Sequence, residues 1–300
     1  MSVATPAARA WDAERDRLIG IAYRMLGDFG LAEDVVSEVA IDALQREREQ
    51  ADTVRSWPAL LTTICVRRSI DRVRALVAIR EDYPGPWLPE PVATSRLPED
   101  AVASRELLSI ALLHLAEQLT PEARAAVVLH RAFGMSAGEI GRILGRSSAA
   151  VRQLISRAER RLRIDPDAPP PPSLDRSVLL RLMAAIENGD VSGVVRLFAP
   201  DAILWADGGG RVRSALNPVF GPDRIARFFV RVLQKAAAAG HAGQGRPWSA
   251  TLVDVNGEPA IALRLSERTD VLTVEPGADG RIRGVRQIAN PEKLGRVFGS

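Results

Sequence analysis

The spacing of apolar residues divides this chain of 300 residues into helical parts and a mixed part. From Ala7 to about Asp82, and again from about Pro98 to Ile164, apolar positions recur every three or four residues, the period of an amphipathic helix. After Ser173 the pattern changes, and short alternating runs are separated by glycine, asparagine, aspartate and proline. The pattern predicts two all-α segments followed by an α+β domain with a mostly antiparallel sheet.

The third block is predicted to hold two helices and five strands. The helices are about Leu174–Asn188 and Asp223–Ala239. The strands are Ala202–Ala206, Trp248–Val255, Ala260–Leu265, Asp270–Glu275 and Ile282–Ile288. Two proline-rich stretches separate the blocks, and because proline fixes its own φ and restrains the preceding residue, neither is helical. We therefore divide the chain at 7–82, 83–97 (a linker), 98–164, 165–172 (a polyproline linker) and 173–300.

The stretch from Ser136 to Arg163 predicts two short helices joined at a glycine. Ser136 and Glu139 have the spacing of a capping box, and Gly145 suits the left-handed conformation that ends the first helix. Ser147 is a natural N-cap for the second helix, which has one apolar face. The opposite face offers forked donors for base edges and cations for phosphates, as a major-groove recognition helix requires. Its residues are Ser147, Ser148, Arg152, Gln153, Ser156, Arg157, Arg160 and Arg161.

Local charge favours DNA binding over the alternative of an amphipathic hairpin with a solvated face. Pro121–Arg163 holds nine arginines against three glutamates, although the whole chain carries a net charge of only +3. A solvated helix face would mix glutamate with lysine, whereas this polar face is mostly arginine.

Two further helices stand out in the first block. Leu31–Leu44 presents carboxylates around an apolar ridge, a pattern that by itself is typical of an ordinary surface helix. Ser56–Glu81 opens with Trp57 and then carries a cluster of arginines, a combination that suits unstacked bases and backbone phosphate. The alternative for Trp57 is an anchor in the core.

Cysteine and histidine content argues against a metal site or a disulfide. Cys65 is the only cysteine, so an intrachain disulfide and a cysteine metal cluster are excluded. The three histidines are scattered without metal-ligand spacing. The chain has neither an apolar signal region nor an apolar run long enough to span a bilayer. We expect a cytoplasmic protein without metal or cofactor.

The order of these motifs resembles the extracytoplasmic-function sigma factors of bacterial RNA polymerase. The resemblance implies partners: core RNA polymerase, at its clamp and flap, and promoter DNA, both duplex and melted. It assigns polymerase docking to Leu31, Glu33, Asp34, Val35 and Glu38. It assigns melting and reading of the minus-ten element to Trp57, Arg67, Arg68, Asp71, Arg72 and Arg74. It assigns reading of the minus-thirty-five element to the polar face of the Ser147–Arg161 helix.

Three short motifs resemble those of the sigma-J-like group of that family, which carries a C-terminal extension of the SnoaL-like, NTF2-like, cone-shaped α+β class. They are WLPEP (Trp87, Leu88, Pro89, Glu90, Pro91), DGGGR (Asp207, Gly208, Gly209, Gly210, Arg211) and NPEKL (Asn290, Pro291, Lys293, Leu294 and the glutamate between them). The resemblance implies that the extension regulates the core in cis. By itself DGGGR is equally typical of a plain hairpin turn. We expect Arg211 to pair with Glu90 or another acid.

Catalysis in the third block is a weaker hypothesis than ligand binding. Asp201, Asp207 and His241 are its candidate acid and base groups, and sequence proximity does not bring any two of them together. A concave apolar pocket for an unknown small molecule is the more plausible use of such a fold. The sequence thus predicts a non-catalytic transcription initiation factor. Two alternatives stay open: a stand-alone helix-turn-helix regulator, and a ligand-binding or enzymatic domain fused to a DNA-binding module.

Overall fold

The chain forms two compact units in the computed structural model, which describes residues 5–50, 53–98, 107–164, 175–239, 248–265, 268–277 and 279–299. The first unit comprises Met1–Glu81 and Leu97–Pro169, and the second comprises Asp82–Arg96 and Pro170–Ser300. The predicted linker 83–97 therefore belongs almost entirely to the second unit. The polyproline linker 165–172 and His241 lie outside the described residues.

The described part of the first unit is all helical. Its helices are α1 Pro6–Leu26, α2 Phe29–Gln50, α3 Trp57–Glu81, α4 Ile110–Ala116, α5 Pro121–Arg131, α6 Ala137–Leu144 and α7 Ser148–Leu162. Local chemistry sets several of their ends: Thr5 and Thr120 cap α1 and α5 ahead of a proline at the first position, and Gly27 ends α1 at φ +67°. Helix α1 packs along both α2 and α3.

The second unit is built on a six-stranded sheet, and three of its four described helices pack against one face of the sheet. Its helices are α8 Arg176–Glu187, α9 Val191–Leu197, α10 Pro222–Ala239 and α11 Gly295–Phe298. Its strands are β1 Phe198–Asp207, β2 Val219–Phe220, β3 Trp248–Val255, β4 Glu258–Leu265, β5 Arg268–Pro276 and β6 Ile282–Ile288, in the order β2-β1-β6-β5-β4-β3. Every neighbouring pair is antiparallel except β1 with β6, which is parallel.

One sheet face forms the core of this unit with the apolar faces of the helices. Leu179 of α8 and Ile225 of α10 are fully buried in it, opposite Leu204 and Val285 of the sheet. Burying one side chain of this size contributes about 1.5–3 kcal/mol, so this layer dominates the stability of the unit.

The predicted fold class, two all-α segments followed by an α+β domain, is confirmed. Strands β3 and β6 have the predicted bounds, whereas β1 begins four residues before the predicted Ala202. Helix α9 and strand β2 were missed, because seven and two residues are too short to establish a period. In the described part of the chain, no helix combines the length and apolarity that crossing a bilayer requires.

Candidate nucleic-acid interface and motif cluster

Helices α6 and α7 form the predicted helical pair, and local chemistry fixes their geometry. Ser136 and Glu139 make the reciprocal hydrogen bonds of a capping box, and Gly145 ends α6 at φ +64°. A Cβ atom at Gly141 would lie 2.5 Å from the carbonyl oxygen of Arg146, so only glycine allows this close return of the chain. Ser147 then caps α7 by accepting a hydrogen bond from the Ala150 N–H.

Helix α7 has one buried and one exposed face, as predicted. The buried residues include Val151, Ile155, Ala158 and Leu162. All eight residues of the predicted reading face are exposed: Ser147, Ser148, Arg152, Gln153, Ser156, Arg157, Arg160 and Arg161. Within the described residues, these arginines make no ion pair with the protein, and Arg160 only donates to the carbonyl of Ser156 in its own helix. Their donors and charges are therefore available to a ligand.

The one acid of α7 does not oppose an anionic ligand. Glu159 is only 9% exposed, and its carboxylate lies 3.8 Å from the guanidinium of Arg131 on α5. The exposed face is consequently cationic along its length, which suits a polyphosphate backbone.

The arginines of α3, by contrast, are engaged with protein groups. Arg68 binds Asp42 of α2 through two parallel hydrogen bonds of 2.8 and 2.7 Å and also reaches Glu38 at 2.6 Å. The hydrogen bond to Asp42 raises the pKa of Arg68. Arg72 pairs with the other oxygen of Glu38 at 3.0 Å. Acids of α2 thus neutralise two of the predicted minus-ten residues.

Other predicted minus-ten residues have different surroundings. Trp57 is partly buried at the start of α3. Arg67 donates to the carbonyl oxygen of Ile143 in α6 at 3.2 Å. Arg74 contacts both Asp71, at 3.0 Å, and Glu122 of α5, at 2.5 Å.

The predicted polymerase-docking residues lie on α2 and divide by exposure. Asp34 is exposed, while Leu31, Glu33 and Glu38 are partly buried. Val35 is 0% exposed, so its inclusion as a contact residue was wrong. It packs in the core and holds α2 in place, because the helical period turns it away from the surface that Asp34 occupies.

The three short motifs, far apart in sequence, meet around Asp207 at the end of β1. The carboxylate of Asp207 is fully buried and accepts hydrogen bonds from the Tyr83 hydroxyl at 2.6 Å and the Leu88 N–H at 2.9 Å. It also accepts from the Gly209 N–H at 3.0 Å and from Lys293 Nζ at 2.7 Å. We call these five residues the Asp207 cluster.

Lys293 supplies the cation of the Asp207 cluster and ties NPEKL to WLPEP. Its Nζ donates to the Leu88 carbonyl at 2.6 Å and lies 4.3 Å from the ring centroid of Trp87 and 4.9 Å from that of Tyr83. A cation between two aromatic rings beside a buried carboxylate is held by charge and by the ring faces together. Burial raises the pKa of Tyr83, and its hydrogen bond to Asp207 acts in the same direction.

The glycines of DGGGR allow the side chain of Asn290 to lie directly against the backbone of this turn. Gly209 and Gly210 have φ of +58° and +68°, and a Cβ atom on Gly209 would overlap the side chain of Asn290. Arg211 pairs with Glu292 of NPEKL at 2.7 Å, and both side chains are exposed. We expected Arg211 to pair with Glu90 or another acid. The observed partner is Glu292, while Glu90 is buried, with 8% exposure.

Residues 92–96, like Tyr83 and Leu88, form hydrogen bonds with the C-terminal part of the second unit. The Val92 N–H donates to the side chain of Asn256 at 2.9 Å, and the Asn256 N–H donates back to the Val92 carbonyl at 2.9 Å. The Ala93 N–H donates to the Arg296 carbonyl at 3.2 Å. Sequence reasoning missed Tyr83 and Asn256 as contact residues, and it left the acid that pairs with Arg211 unspecified. The Asn-Gly pair at 256–257 signals a turn, but a turn signal does not indicate a partner.

The candidate catalytic groups do not form an acid and base pair within the described residues. Asp207 is committed to its cluster, and Asp201 lies 3.2 Å from Arg283. His241 lies outside the described residues. The residues that the structure describes also contain no group of three or more histidine, cysteine, aspartate or glutamate side chains placed to hold a metal ion.

Comparison with known proteins follows the same division of the chain. The model for Sigma-70 region 2 matches residues 10–77, and that for Sigma-70, region 4 matches residues 109–162. The ECF RNA polymerase sigma factor SigJ of Mycobacterium tuberculosis is 35% identical over 95% of this chain and 92% of its own length. Its crystal structure covers 96% of this chain and 98% of that chain with a TM-score of 0.74 and 32% identity. A probable ECF sigma factor, SigI, of the same species is 29% identical over 77% of this chain and 78% of its own length.

Proposed function

We propose that this chain, which belongs to the extracytoplasmic-function RNA polymerase sigma factors, directs bacterial RNA polymerase to specific promoters through two separate readers. Segment 7–82 docks on the polymerase clamp and opens the minus-ten region. Segment 98–164 reads the minus-thirty-five region and contacts the flap. Segment 173–300 regulates the other two, and 83–97 and 165–172 connect the three. The protein acts where polymerase and chromosome lie, in the cytoplasm.

The exposed face of α7 is the observation that supports this function most directly. Its arginines make no ion pair within the described residues, while its opposite face is buried in the helical pair. Forked guanidinium groups on a preorganised helix suit the acceptors of guanine in a major groove. We propose Arg152 and Gln153 as base readers and Arg160 and Arg161 as phosphate contacts, because phosphate contacts position a reader and base contacts specify it.

Run-off transcription tests the proposed function. Genomic fragments are selected with purified core polymerase plus the full chain, and the selected promoters then serve as templates. Transcripts that require the chain and start at fixed positions support the proposal. Tight promoter binding by the chain alone, with no polymerase-dependent transcript, would instead support the stand-alone helix-turn-helix regulator.

Replacing Arg161 by alanine is expected to weaken binding to all promoter sequences about equally. The loss of one phosphate contact lowers the slope of log affinity against log salt concentration by about one. Holoenzyme binding to matched and mismatched promoters is measured between low and high salt. Arg176→Ala, which removes an exposed arginine of the second unit, is the control and leaves the slope unchanged. A loss confined to one promoter sequence would contradict the phosphate role.

We also propose regulation in cis by the second unit. Its support is the Asp207 cluster, which joins the segment between the two readers to the C-terminal part of the chain. Non-catalytic action fits this use, since Asp207 holds a segment in place and is not open to a substrate. A small-molecule ligand remains an untested prediction.

Removing the chain after Ala289 is expected to change transcript yield while promoter recognition persists. The deletion takes away Lys293 and Asn290, so the Leu88 carbonyl and the Asp207 carboxylate lose their cation, and the Tyr83 hydroxyl loses the amide that donates to it. Transcript yield and promoter affinity are measured with core polymerase. A chain ending at Leu294 keeps the motif and is the control. Unchanged yield in both chains would refute regulation through this cluster.

A further inference from the structure

Helix α10 of the second unit carries three exposed arginines on one face. Arg224, Arg227 and Arg231 are exposed, while Ile225 and Phe229 on the opposite face are buried in the core of the unit. At 3.6 residues per turn, the three arginines fall within an arc of about 60° and span about 10 Å along the helix axis. We call these three residues the α10 arginine face.

The guanidinium groups of the α10 arginine face are not engaged by the protein. Within the described residues they make no ion pair and no side-chain hydrogen bond, and neither does Asp223, the one acid of α10. Other arginines in the described part of this unit pair with carboxylates: Arg176, Arg196, Arg211, Arg268, Arg281, Arg283 and Arg286. The α10 arginine face therefore concentrates unpaired cations in one place.

The spacing of these arginines works against the stability of α10. Residues three or four apart on a helix are neighbours, so Arg224 repels Arg227, and Arg227 repels Arg231. A helix surface that only has to be solvated mixes the two signs of charge at this spacing. An anion bound across the face would relieve the repulsion, so the pattern indicates an anionic partner.

The composition of the same surface favours nucleic acid over protein as that partner. Protein interfaces have a core of apolar and aromatic side chains, whereas the exposed side chains in the described part of α10 are those of Asp223, Gln234 and the α10 arginine face. On one strand of duplex DNA, each phosphate advances about 3.4 Å along the axis, so the 10 Å of the face corresponds to about three phosphates.

The chain keeps α10 close to any duplex that α7 holds. Residues 164–175 join the end of α7 to the start of α8, and a fully extended chain of that length spans at most about 40 Å. Adding the width of a unit of this size gives a reach of about 75 Å, or about 20 base pairs of duplex. The tether gives α10 a high effective concentration at this DNA.

We propose that the α10 arginine face binds the phosphate backbone of duplex DNA next to the minus-thirty-five element, independently of base sequence. The second unit thus carries a third DNA contact besides the two readers. This contact adds affinity without adding sequence preference, because phosphates carry no base information. The inference rests on the proposed function for the position of the DNA that α7 holds.

The salt dependence of DNA binding by the full chain tests this contact. The test variant combines Arg224→Gln, Arg227→Gln and Arg231→Gln. The control variant removes three exposed but paired arginines of the same unit, so both variants have the same net charge: Arg176→Gln, Arg196→Gln and Arg283→Gln. The DNA is a random-sequence duplex of about 40 base pairs, which exceeds the reach of the tethered unit.

The test variant is expected to bind this duplex at least about tenfold more weakly at low salt. The slope of log affinity against log salt concentration is expected to fall by about two to three, since each phosphate contact contributes about 0.9. The control variant is expected to keep the slope of the unchanged chain. Lysine at the three positions of the α10 arginine face retains the cations and is expected to restore the slope.

Cleavage of DNA by a tethered iron chelate locates the contact in the complex of core polymerase, the full chain and a selected promoter. The chelate is attached at Gln234→Cys, beside the α10 arginine face, while Cys65 is fully buried and escapes labelling. The control is Ser249→Cys: Ser249 is exposed on β3, and its neighbours Trp248 and Ala250 pack against the core, so it points away from the helices. We expect cleavage within about 20 base pairs of the minus-thirty-five element from position 234 and none from position 249.

The outcomes separate this contact from the function on which it rests. If the test variant is folded by circular dichroism but matches the control in affinity and slope, the contact is refuted. Cleavage that is equal from the two positions, or absent from position 234, refutes it too. Unchanged DNA binding with weaker binding to core polymerase would assign the face to a protein partner instead. If the test variant loses affinity and slope although the unchanged chain supports no promoter-directed transcript, the proposed function fails and the phosphate contact stands.

Discussion

Replacing Asp207 by alanine is expected to lower the free energy of unfolding of the second unit by about 3–5 kcal/mol. The carboxylate accepts from four donors, and its removal leaves Lys293, whose side chain is 11% exposed, without its counter-charge. The Tyr83 hydroxyl and the Leu88 N–H lose a partner in the same step. A buried cation left unpaired costs more than the net value of the original pair.

Chemical denaturation of the full chain, followed by near-ultraviolet circular dichroism of its aromatic side chains, measures this loss. The control is Glu292→Ala, which removes an exposed ion pair of the same cluster region with Arg211. Its expected effect is within about 0.5 kcal/mol. A loss below about 1 kcal/mol for Asp207→Ala would show that the cluster does not stabilise the unit.

Replacing Arg152 by alanine is expected to cost the holoenzyme about 1–3 kcal/mol at its preferred promoter and to relax discrimination at one base pair. Arg152 lies in the first turns of α7, where a recognition helix meets base edges. Its guanidinium is exposed and makes no ion pair within the described residues, so no intramolecular bond has to be broken before it binds a base.

Competition among promoters that differ at single positions of the minus-thirty-five element measures this effect. Arg161→Ala is the comparison, since it lowers affinity without changing the order of preference. Equal loss at every sequence for Arg152→Ala would make Arg152 a phosphate contact and contradict its role as a reader.

Local patterns were sufficient to predict most of the fold. The capping box at Ser136, the left-handed Gly145 and the N-cap Ser147 act through neighbours three or four residues away, and the structure has each of them as predicted. The glycine, asparagine and proline residues next to β3 and β6 are equally local signals. Helix α9 was not predicted, because it is short and is stabilised mainly by an aspartate cap and by packing against α8 and α10.

Contacts between residues far apart in sequence could not be predicted from such local patterns. Tyr83 and Asn290 are separated by 207 positions, and only the sheet places them 3.1 Å apart. The arginines of α3 show the same limit, because the sequence indicated a cluster suited to bases and phosphate and did not indicate the acids that pair with it. The structure shows Arg68 held by Asp42, a partner 26 residues away.

Because residues 82–96 belong to the second unit, that unit is made of two stretches of chain that are separated in sequence. Leu88 and Val92 are 0% exposed, and their hydrogen-bond partners lie beyond residue 200. A recombination that exchanged only the C-terminal part between relatives would pair this internal strip with a foreign surface. The exchangeable module is thus discontinuous: it consists of an internal strip and a C-terminal domain that must be transplanted together, with a DNA reader left between them.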